Sequence, residues 1–532
     1  SFENNNLLKM QVNQSLFDTL AENGGLIQTA GGQVIMNAGA KNTLQASVVN
    51  NTGVIEAHTL DSQTGKIILL SGMELGTTDV SGTLDASAPN GGNGGFIDTS
   101  AAHVKIIDGV KVSTVSEEGN NGTWLIDPAD FNIGGALGNI SGASLSSQLD
   151  NGNVEILSSG GTADGSGDIN VNEAVSWETN KLTLTSAKDV NINAVMTVEG
   201  DASLALNTAT ANGVDTAVAG GAVKVSMDKG GFRGRVDFAN PNTDKLTING
   251  AAYEVINTIE RFNTMPITTN FALGANLDYT SEPVTPAGTT AGSNYTPRTG
   301  FSGFLNGLGH TITGMKINGG LAADTGMIKV AGASSDIRNL GLVGGEVWRG
   351  GAGTGGLIGS GTTGTISNTF NTGTVAGAAG TGGLAGSMTT GLLLNNHTTG
   401  TVDGAADTGG ISGSATAKGL VFSVINNYST GAITGAAGTG GVLGITTALM
   451  RDNYSTGAIT GHTGTGGIAG TSTNEMKNSY ATGHVSGTTN VGGLLGTNTG
   501  AVTNSYAAGG ITADSVGGAL FGTHSAGVLT AN

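Results

Sequence analysis

The chain has 532 residues, a net charge of −18 and no cysteine; 94 residues are glycine, 4% are aromatic and 11% are charged. That balance argues against nucleic acid and anionic membranes as partners, since counterion release needs a basic surface. Without disulfides the fold must rest on its core and backbone ladder, and no apolar run reaches the 18 residues of a membrane helix.

Residues 1–24 are the least repetitive part and are expected to be a capping segment. Within them Val12 to Ala21 predicts a short helix with Leu16, Phe17 and Leu20 on one face. From Gly25 a strand signal begins. Short apolar runs such as Val34-Ile-Met36, Val54-Ile55, Ile67-Ile-Leu69 and Val104-Lys-Ile106 are broken by Gly-Gly, Asn-Asn and Asn-Gly turns. A second rhythm follows at residues 140–250, where Asp168-Ile-Asn-Val-Asn172 and Asp189-Val-Asn-Ile-Asn193 lie 21 residues apart. Alternation puts Ile169, Val171, Val190 and Ile192 inside and the asparagines outside. That asparagine face is expected to be a hydrated side that resists lateral pairing, with carbohydrate binding through paired amides the alternative.

Three phrases in this region are specific. Ser47-Val-Val-Asn-Asn-Thr-Gly-Val-Ile-Glu-Ala57, the stretch Gly82 to Ile106, and Gly122-Thr-Trp-Leu-Ile-Asp-Pro-Ala-Asp-Phe-Asn-Ile133 resemble the filamentous-haemagglutinin family, two-partner-secretion exoproteins of Gram-negative bacteria. The resemblance implies a right-handed parallel β-helix exported by an outer-membrane transporter to the cell surface. It covers residues 25–250 as haemagglutinin-type β-helix and continues more loosely to the end. The family's secretion domain carries Asn-Pro-Asn-Leu and Asn-Pro-Asn-Gly motifs. Here Asn240-Pro-Asn242 is followed by Thr243, so the region that engages the transporter is expected upstream of Ser1.

Residues 251–345 interrupt the rhythm. Tyr253 to Phe262 predicts a second helix, and Glu282-Pro-Val-Thr-Pro-Ala-Gly288 predicts an excursion from the coil. Phe301 to Ile317 resembles the segment that precedes GLUG-motif arrays in surface proteins. A module boundary is expected near 250.

Residues 346–532 write one phrase seven times: Thr354-Gly-Gly-Leu-Ile-Gly359, then copies starting at Thr381, Thr408, Thr439, Thr465, Val491 and Val516. The starts are 27, 27, 31, 26, 26 and 25 residues apart. A period of this size marks a solenoid whose units bury their apolar faces only by stacking. Paired glycines would cost a helix about 2 kcal/mol per unit, so the repeat reads as all-β, an elongated parallel β-solenoid with one coil per repeat. Six glycine pairs recur: Gly355 and Gly356, Gly382 and Gly383, Gly409 and Gly410, Gly440 and Gly441, Gly466 and Gly467, and Gly492 and Gly493. They are expected to serve as corners of positive φ and as points of close backbone approach. A second phrase, Asn-x-aromatic-x-Thr-Gly, begins at Asn368, Asn395, Asn426, Asp452, Asn478 and Asn504. Stacking turns its third position into a structural column: Phe370, His397, Tyr428, Tyr454, Tyr480 and Tyr506.

Catalytic, metal and cofactor patterns are absent from the sequence. The seven histidines show no i, i+4 pair, and no nucleophile elbow or phosphate loop occurs. Glycoside cleavage needs two carboxylates at one register, roughly 5–9 Å apart; Asp403, Asp407, Asp452, Glu475 and Asp514 fall at different ones. Asp127 and Asp130 read as turn caps, and Asp164-Gly-Ser-Gly-Asp168 is a weak match to a calcium loop. The leading expectation is a non-enzymatic, secreted or cell-surface structural adhesin, a stalk that contacts host or matrix glycans or proteins, or like cells. A β-helical carbohydrate-active enzyme and the stalk of a contact-dependent toxin are the alternatives. The last coil is expected to expose an open ring of backbone groups, through which the chain would associate end to end or continue.

Overall fold

Alternation of one inward and one outward side chain organises the strands, and equivalent inward residues of successive turns lie directly over one another. The computed structural model describes residues 7–15, 19–40, 47–158, 165–209, 221–240, 245–362, 364–417 and 422–530. It is a β-solenoid of about 17 turns with parallel sheets. The chain divides into two compact units, residues 1–228 with 232–255, and residues 229–231 with 256–532.

In the first unit one sheet carries the register Val34, Ile67, Ile97, Trp124, Val154, Leu182, Leu204, Leu246. Every member is at most 1% exposed. Stacked so closely, each side chain keeps water from two neighbours, and full burial of such a side chain is worth roughly 1.5–3 kcal/mol. Trp124 also needs a partner for its indole, and Nε1 donates to Thr99 Oγ1 at 3.0 Å. The Asn-rich strands behave as alternation dictates. Ile169 pairs with Val190 and Val171 with Ile192, all fully buried, while Asn170 and Asn191 face outward.

The N-terminal segment departs from expectation. Leu7–Ser15 is a strand paired in parallel with Gln33–Ala40, and Thr19–Asn23 pairs with Ser47–Asn51, so no helix spans Val12 to Ala21. Residues 16–18 lie outside the described ones. A ten-residue helix is marginal in water, whereas a strand laid on an open edge makes a ladder bond at every other residue. The segment is therefore a first turn of the solenoid.

A helix forms instead at α1, Gly142–Leu149, where Ser141 caps the N-terminus by accepting from Ser144 N at 3.1 Å. It sits where one sheet ends at Lys111–Ser113. Gln148 takes the place of the missing next strand: Oε1 accepts Val112 N at 2.9 Å and Nε2 donates to Val110 O at 3.2 Å. A buried amide thereby satisfies an edge that a further strand would otherwise pair. The unit's last strands, Leu246–Ile248 and Ala251–Ile256, pair antiparallel. Asn249 (φ 50°) and Gly250 (φ 76°) make the turn between them, the two positive values that a tight hairpin demands.

The second unit opens with α2, Ile259–Thr264, capped by Thr258. It covers only the second half of the expected helix, because Ala251–Ile256 is a strand. From residue 298 onward three parallel sheets run through the unit, and the repeat phrases coincide with the turns: Thr354, Thr381, Thr408, Thr439, Thr465 and Val491 are in register. The 31-residue interval takes up its extra length between strands Ser412–Ala415 and Phe422–Ile425. Val516 does not continue the column: Gly517 pairs with Val491 and Gly518 with Gly492. The final phrase is thus read one residue late, the spacing stays at 26 (517 minus 491), and Ala519 holds the second-glycine position.

The glycine pairs are not the corners that their composition suggests. Gly355, Gly382, Gly409 and Gly440 each end a two-residue strand, in Thr354–Gly355, Thr381–Gly382, Thr408–Gly409 and Thr439–Gly440. Gly466 ends Thr463–Gly466 and Gly492 ends Val485–Gly492. The six are buried and pair with one another in one parallel ladder. A residue within a parallel ladder keeps negative φ, so the left-handed position has to fall outside the pair.

The second phrase conceals a buried polar column beside its exposed asparagines. Asn396, Asn427 and Asn453 are fully buried. Asn427 Nδ2 donates to Leu393 O at 2.9 Å, and its Oδ1 accepts Asn396 N at 3.0 Å. Replacing Asn427 with Ala should therefore destabilise by about 2–4 kcal/mol through unpaired buried groups. Asn426→Gly, exposed at φ 53°, should change stability by less than about 1 kcal/mol. Thermal melts of the two variants check the contrast.

Candidate functional site

The outer face of the second phrase carries the candidate site. Its first residue sits at a corner with positive φ, from 49° at Asn478 and Asn504 to 58° at Asp452. Asparagine and aspartate are the side chains that tolerate this conformation best after glycine, which is why the column reads Asn-Asn-Asn-Asp-Asn-Asn. The amides then bond along the axis: Asn368 to Asn339 at 2.7 Å, Asn426 to Asn395 at 2.7 Å, Asn478 to Asp452 at 3.0 Å and Asn504 to Asn478 at 3.4 Å.

Two residues on, the six expected rings form one stack. Phe370 and His397 lie 5.1 Å apart, His397 and Tyr428 4.7 Å, Tyr428 and Tyr454 4.6 Å, Tyr454 and Tyr480 5.0 Å, and Tyr480 and Tyr506 5.2 Å. Ring planes deviate by 8° or less. Strand spacing of about 4.8 Å imposes this face-to-face arrangement, so ring faces are spent on one another. Burial grades along the stack: Phe370 and His397 are buried, Tyr428, Tyr454 and Tyr480 half-buried, and Tyr506 is 51% exposed. Phe370 needs room at its far side, which Gly341 supplies; a Cβ there would stand 2.4 Å from the ring.

The glycine pairs work by proximity. None of the twelve has positive φ, which corrects the expected corner role; that conformation falls to the residue before the threonine, namely Gly353, Gly380, Asp407, Gly438, Gly464 and Asn490. On Gly355, Gly382, Gly409, Gly440, Gly466 and Gly492 a Cβ would lie 2.0–2.3 Å from the carbonyl oxygen three residues ahead. On Gly383, Gly410, Gly441, Gly467 and Gly493 it would lie 2.0–2.2 Å from the next turn's carbonyl oxygen. At Gly356 the nearest atom would be the Asn371 amide nitrogen, 2.5 Å away. Close approach, the other expected role, is therefore what requires glycine at all twelve positions.

Exterior positions of the adjoining sheet add a row of hydroxyls. Asp403, Thr434, Thr460, Ser486 and Thr512 are in register, and Ser486 Oγ donates to Thr460 Oγ1 at 3.2 Å. Three carboxylates of the array have separate structural tasks. Asp452 bonds Asn478 and Glu475 pairs with Lys477 at 2.7 Å. Asp407 occupies a positive-φ corner, where burial raises its pKa. In the first unit Asp130 receives backbone N–H groups from Ser166, Gly167 and Asp168, Asp168 receives Asp189 N, and Asp189 receives Ala222 N. Asp130 is thus a backbone cap, as expected. Residue 164 of the suggested calcium loop lies outside the described residues, as do 241 and 242. Among the described residues no cluster of three or more His, Cys, Asp or Glu side chains occurs, and no helix is long and apolar enough to cross a membrane.

The asparagine face of the first unit is likewise a ladder. Asn170 donates to Asn132 at 2.9 Å, Asn191 to Asn170 at 2.9 Å and Asn193 to Asn172 at 2.8 Å. The sequence signal for the inner Thr369–Ser505 column was present in the second residue of each phrase, always Thr, Asn or Ser, but polarity there reads as exposure until the turn is seen.

No family model and no curated protein matches the chain. Among solved structures, a Bacteroides ovatus protein described as a "putative immunoglobulin A1 protease" is similar at 19% identity. The match covers 52% of this chain and 84% of that one, with a TM-score of 0.33. At that level the likeness carries no inference about activity.

Burial, and then the neighbouring Tyr480, raise the Tyr454 phenol above its usual range. A folded-state pKa above the unfolded one favours the protonated ring, so this contribution is complete below about pH 10 and is lost as pH rises beyond it. The array should lose stability in that alkaline window, and Tyr454→Phe should flatten the dependence. Tyr454→Asp should destabilise at neutral pH by roughly 1–3 kcal/mol. Melting curves between neutral and strongly alkaline pH decide both.

Proposed function

We propose that this β-solenoid is the stalk of a secreted or cell-surface adhesin of a Gram-negative bacterium, structural in role, attaching to host or matrix glycans or proteins, or to like cells. What supports the reading is the character of the repeat flanks. The Asn368–Asn504 amide row and the Thr434–Thr512 hydroxyl row are periodic and almost uncharged, and Asp452, the carboxylate of the amide row, is bonded within its ladder. Repeated weak polar contacts along such rows would gain strength by multivalency, each added contact acting at high effective concentration.

Export by an outer-membrane two-partner-secretion transporter belongs to the same proposal and rests on the haemagglutinin-like phrases at 47–57, 82–106 and 122–133. The glycine pairs and ring column would then serve the stalk's rigidity, with contact left to the flanks. Beads coated with the intact chain should bind extracellular matrix or bacterial cells saturably. Replacing Thr434, Thr460, Ser486 and Thr512 together with Val, which removes the hydroxyls and keeps the β-branched shape, should reduce capture at least tenfold with the melting temperature held. Undiminished capture by that variant, or turnover of a polysaccharide by the unaltered chain, would contradict the proposal.

A further inference from the structure

The excursion that interrupts the coil near residues 279–297 is tied firmly to the turn beneath it. Asn294 Nδ2 donates to the carbonyls of Tyr279 at 2.9 Å and Gly314 at 3.0 Å, while its Oδ1 accepts Lys316 N at 2.7 Å. Ser293 Oγ accepts Asn318 N at 2.8 Å, and Asn318 Nδ2 donates to Ala291 O at 2.8 Å. A loop held only as a connector needs no such anchoring, and this one encloses space. A cavity of about 140 Å³ lies against it, several times the roughly 30 Å³ that one water occupies in the liquid.

The walls are rich in groups that recognise hydroxylated molecules: Thr285, Thr290, Ser293, Thr325 and the Asn318 amide line it, with Ile317 as an apolar patch. Two lining residues have features that the fold itself does not use. Tyr295 is 4% exposed, and its enclosed hydroxyl has no hydrogen-bond partner among the described residues. Such a group normally finds a partner. Its ring is fixed by Tyr279, edge-on at 5.9 Å, and by Phe262 at 5.9 Å. Burial raises the phenol above its ordinary range. Lys329, also in the wall, is half-exposed and has no carboxylate partner among the described residues, in a chain where acidic residues outnumber basic ones 39 to 21.

We propose that this cavity binds a small hydroxylated carboxylate of the monosaccharide uronic acid class. The Lys329 ammonium pairs with the carboxylate, a charge-assisted contact that outweighs a neutral hydrogen bond. The Thr290 and Ser293 hydroxyls meet the ring hydroxyls, and Ile317 packs on a C–H face. The site goes beyond the adhesive reading of the repeat flanks and does not depend on it.

Galacturonate is the probe, titrated into the intact chain by calorimetry and saturation-transfer NMR, with galactose and acetate as comparators. Saturable binding of galacturonate at least tenfold tighter than either comparator is expected. Lys329→Gln should abolish that preference. Thr290→Val should weaken binding several-fold while leaving Tm of the unliganded protein unchanged, because the Thr290 side chain is an exposed part of the wall. Absence of saturable galacturonate binding, equal binding of galactose or acetate, or unaltered affinity in Lys329→Gln or in Thr290→Val would each overturn the assignment.

Discussion

Turns of a solenoid must approach to the spacing of hydrogen-bonded strands, about 4.8 Å, and every feature of the repeat answers to that distance. At Gly383, Gly410, Gly441, Gly467 and Gly493 the next turn's carbonyl lies where a Cβ would stand. Alanine there would have to push whole turns apart, breaking ladder bonds on all three sheets at once. The same distance decides what the side chains do. Identical residues brought to van der Waals range must be able to stack on or bond to themselves. Phenyl rings, phenols, amides and hydroxyls satisfy that condition; a column of like charges does not. The sparse charge of the array follows from the geometry, and the one aspartate in the asparagine corner column, Asp452, is met by the amide of Asn478.

Polar ladders do in this protein what disulfides do in other small folds: they fix register. A one-residue slip of the second phrase would put the Asn396–Asn427–Asn453 amides outside and the αL corner on a ring. It would also strand the carbonyls of Ile366, Leu393 and Val424, which those amides satisfy. The last turn shows register winning over wording: pairing shifts locally between Gly487 and Val491, and Gly517 and Gly518 then pair with Val491 and Gly492 at the usual spacing of 26. In the first unit the corresponding constraint is carried by aspartates, with Asp130, Asp168 and Asp189 each capping the backbone of the following turn.

Much of this was legible before the structure because periodicity reports stacking directly. The interval of the Thr-Gly-Gly phrase identified one turn per repeat, and the third position of the second phrase identified the ring column. What stayed hidden was local and compensated by neighbours. Val12 to Ala21 has apolar residues at helical spacing, yet an open sheet edge at Gln33–Ala40 offers its backbone more than an isolated helix can. The helix at Gly142–Leu149 was signalled by Ser141 and by Leu145, Gln148 and Leu149 at i, i+3 and i+4, but its purpose, closing the edge at Val112, depends on a contact 36 residues distant. Glycine pairs such as Gly355 and Gly356 suggest positive φ by residue type alone. Their backbone is ordinary, and the positive angle belongs to the residue before the threonine, a distinction no spacing contains. The cavity beside Tyr295 was equally invisible, since it arises from how an irregular loop lies on Asn318.

Each repeat advances the second unit by one strand spacing. Because the chain has no cysteine, pairs of spin labels can be placed at single introduced cysteines on the exterior register Asp403, Thr434, Thr460, Ser486, Thr512. Electron–electron distances from Asp403→Cys to Thr460→Cys, Ser486→Cys and Thr512→Cys should rise in equal steps of about 5 Å, to about 19 Å at the four-turn pair. Distances that fail to grow with repeat number, or that alternate as in an antiparallel sheet, would contradict the account.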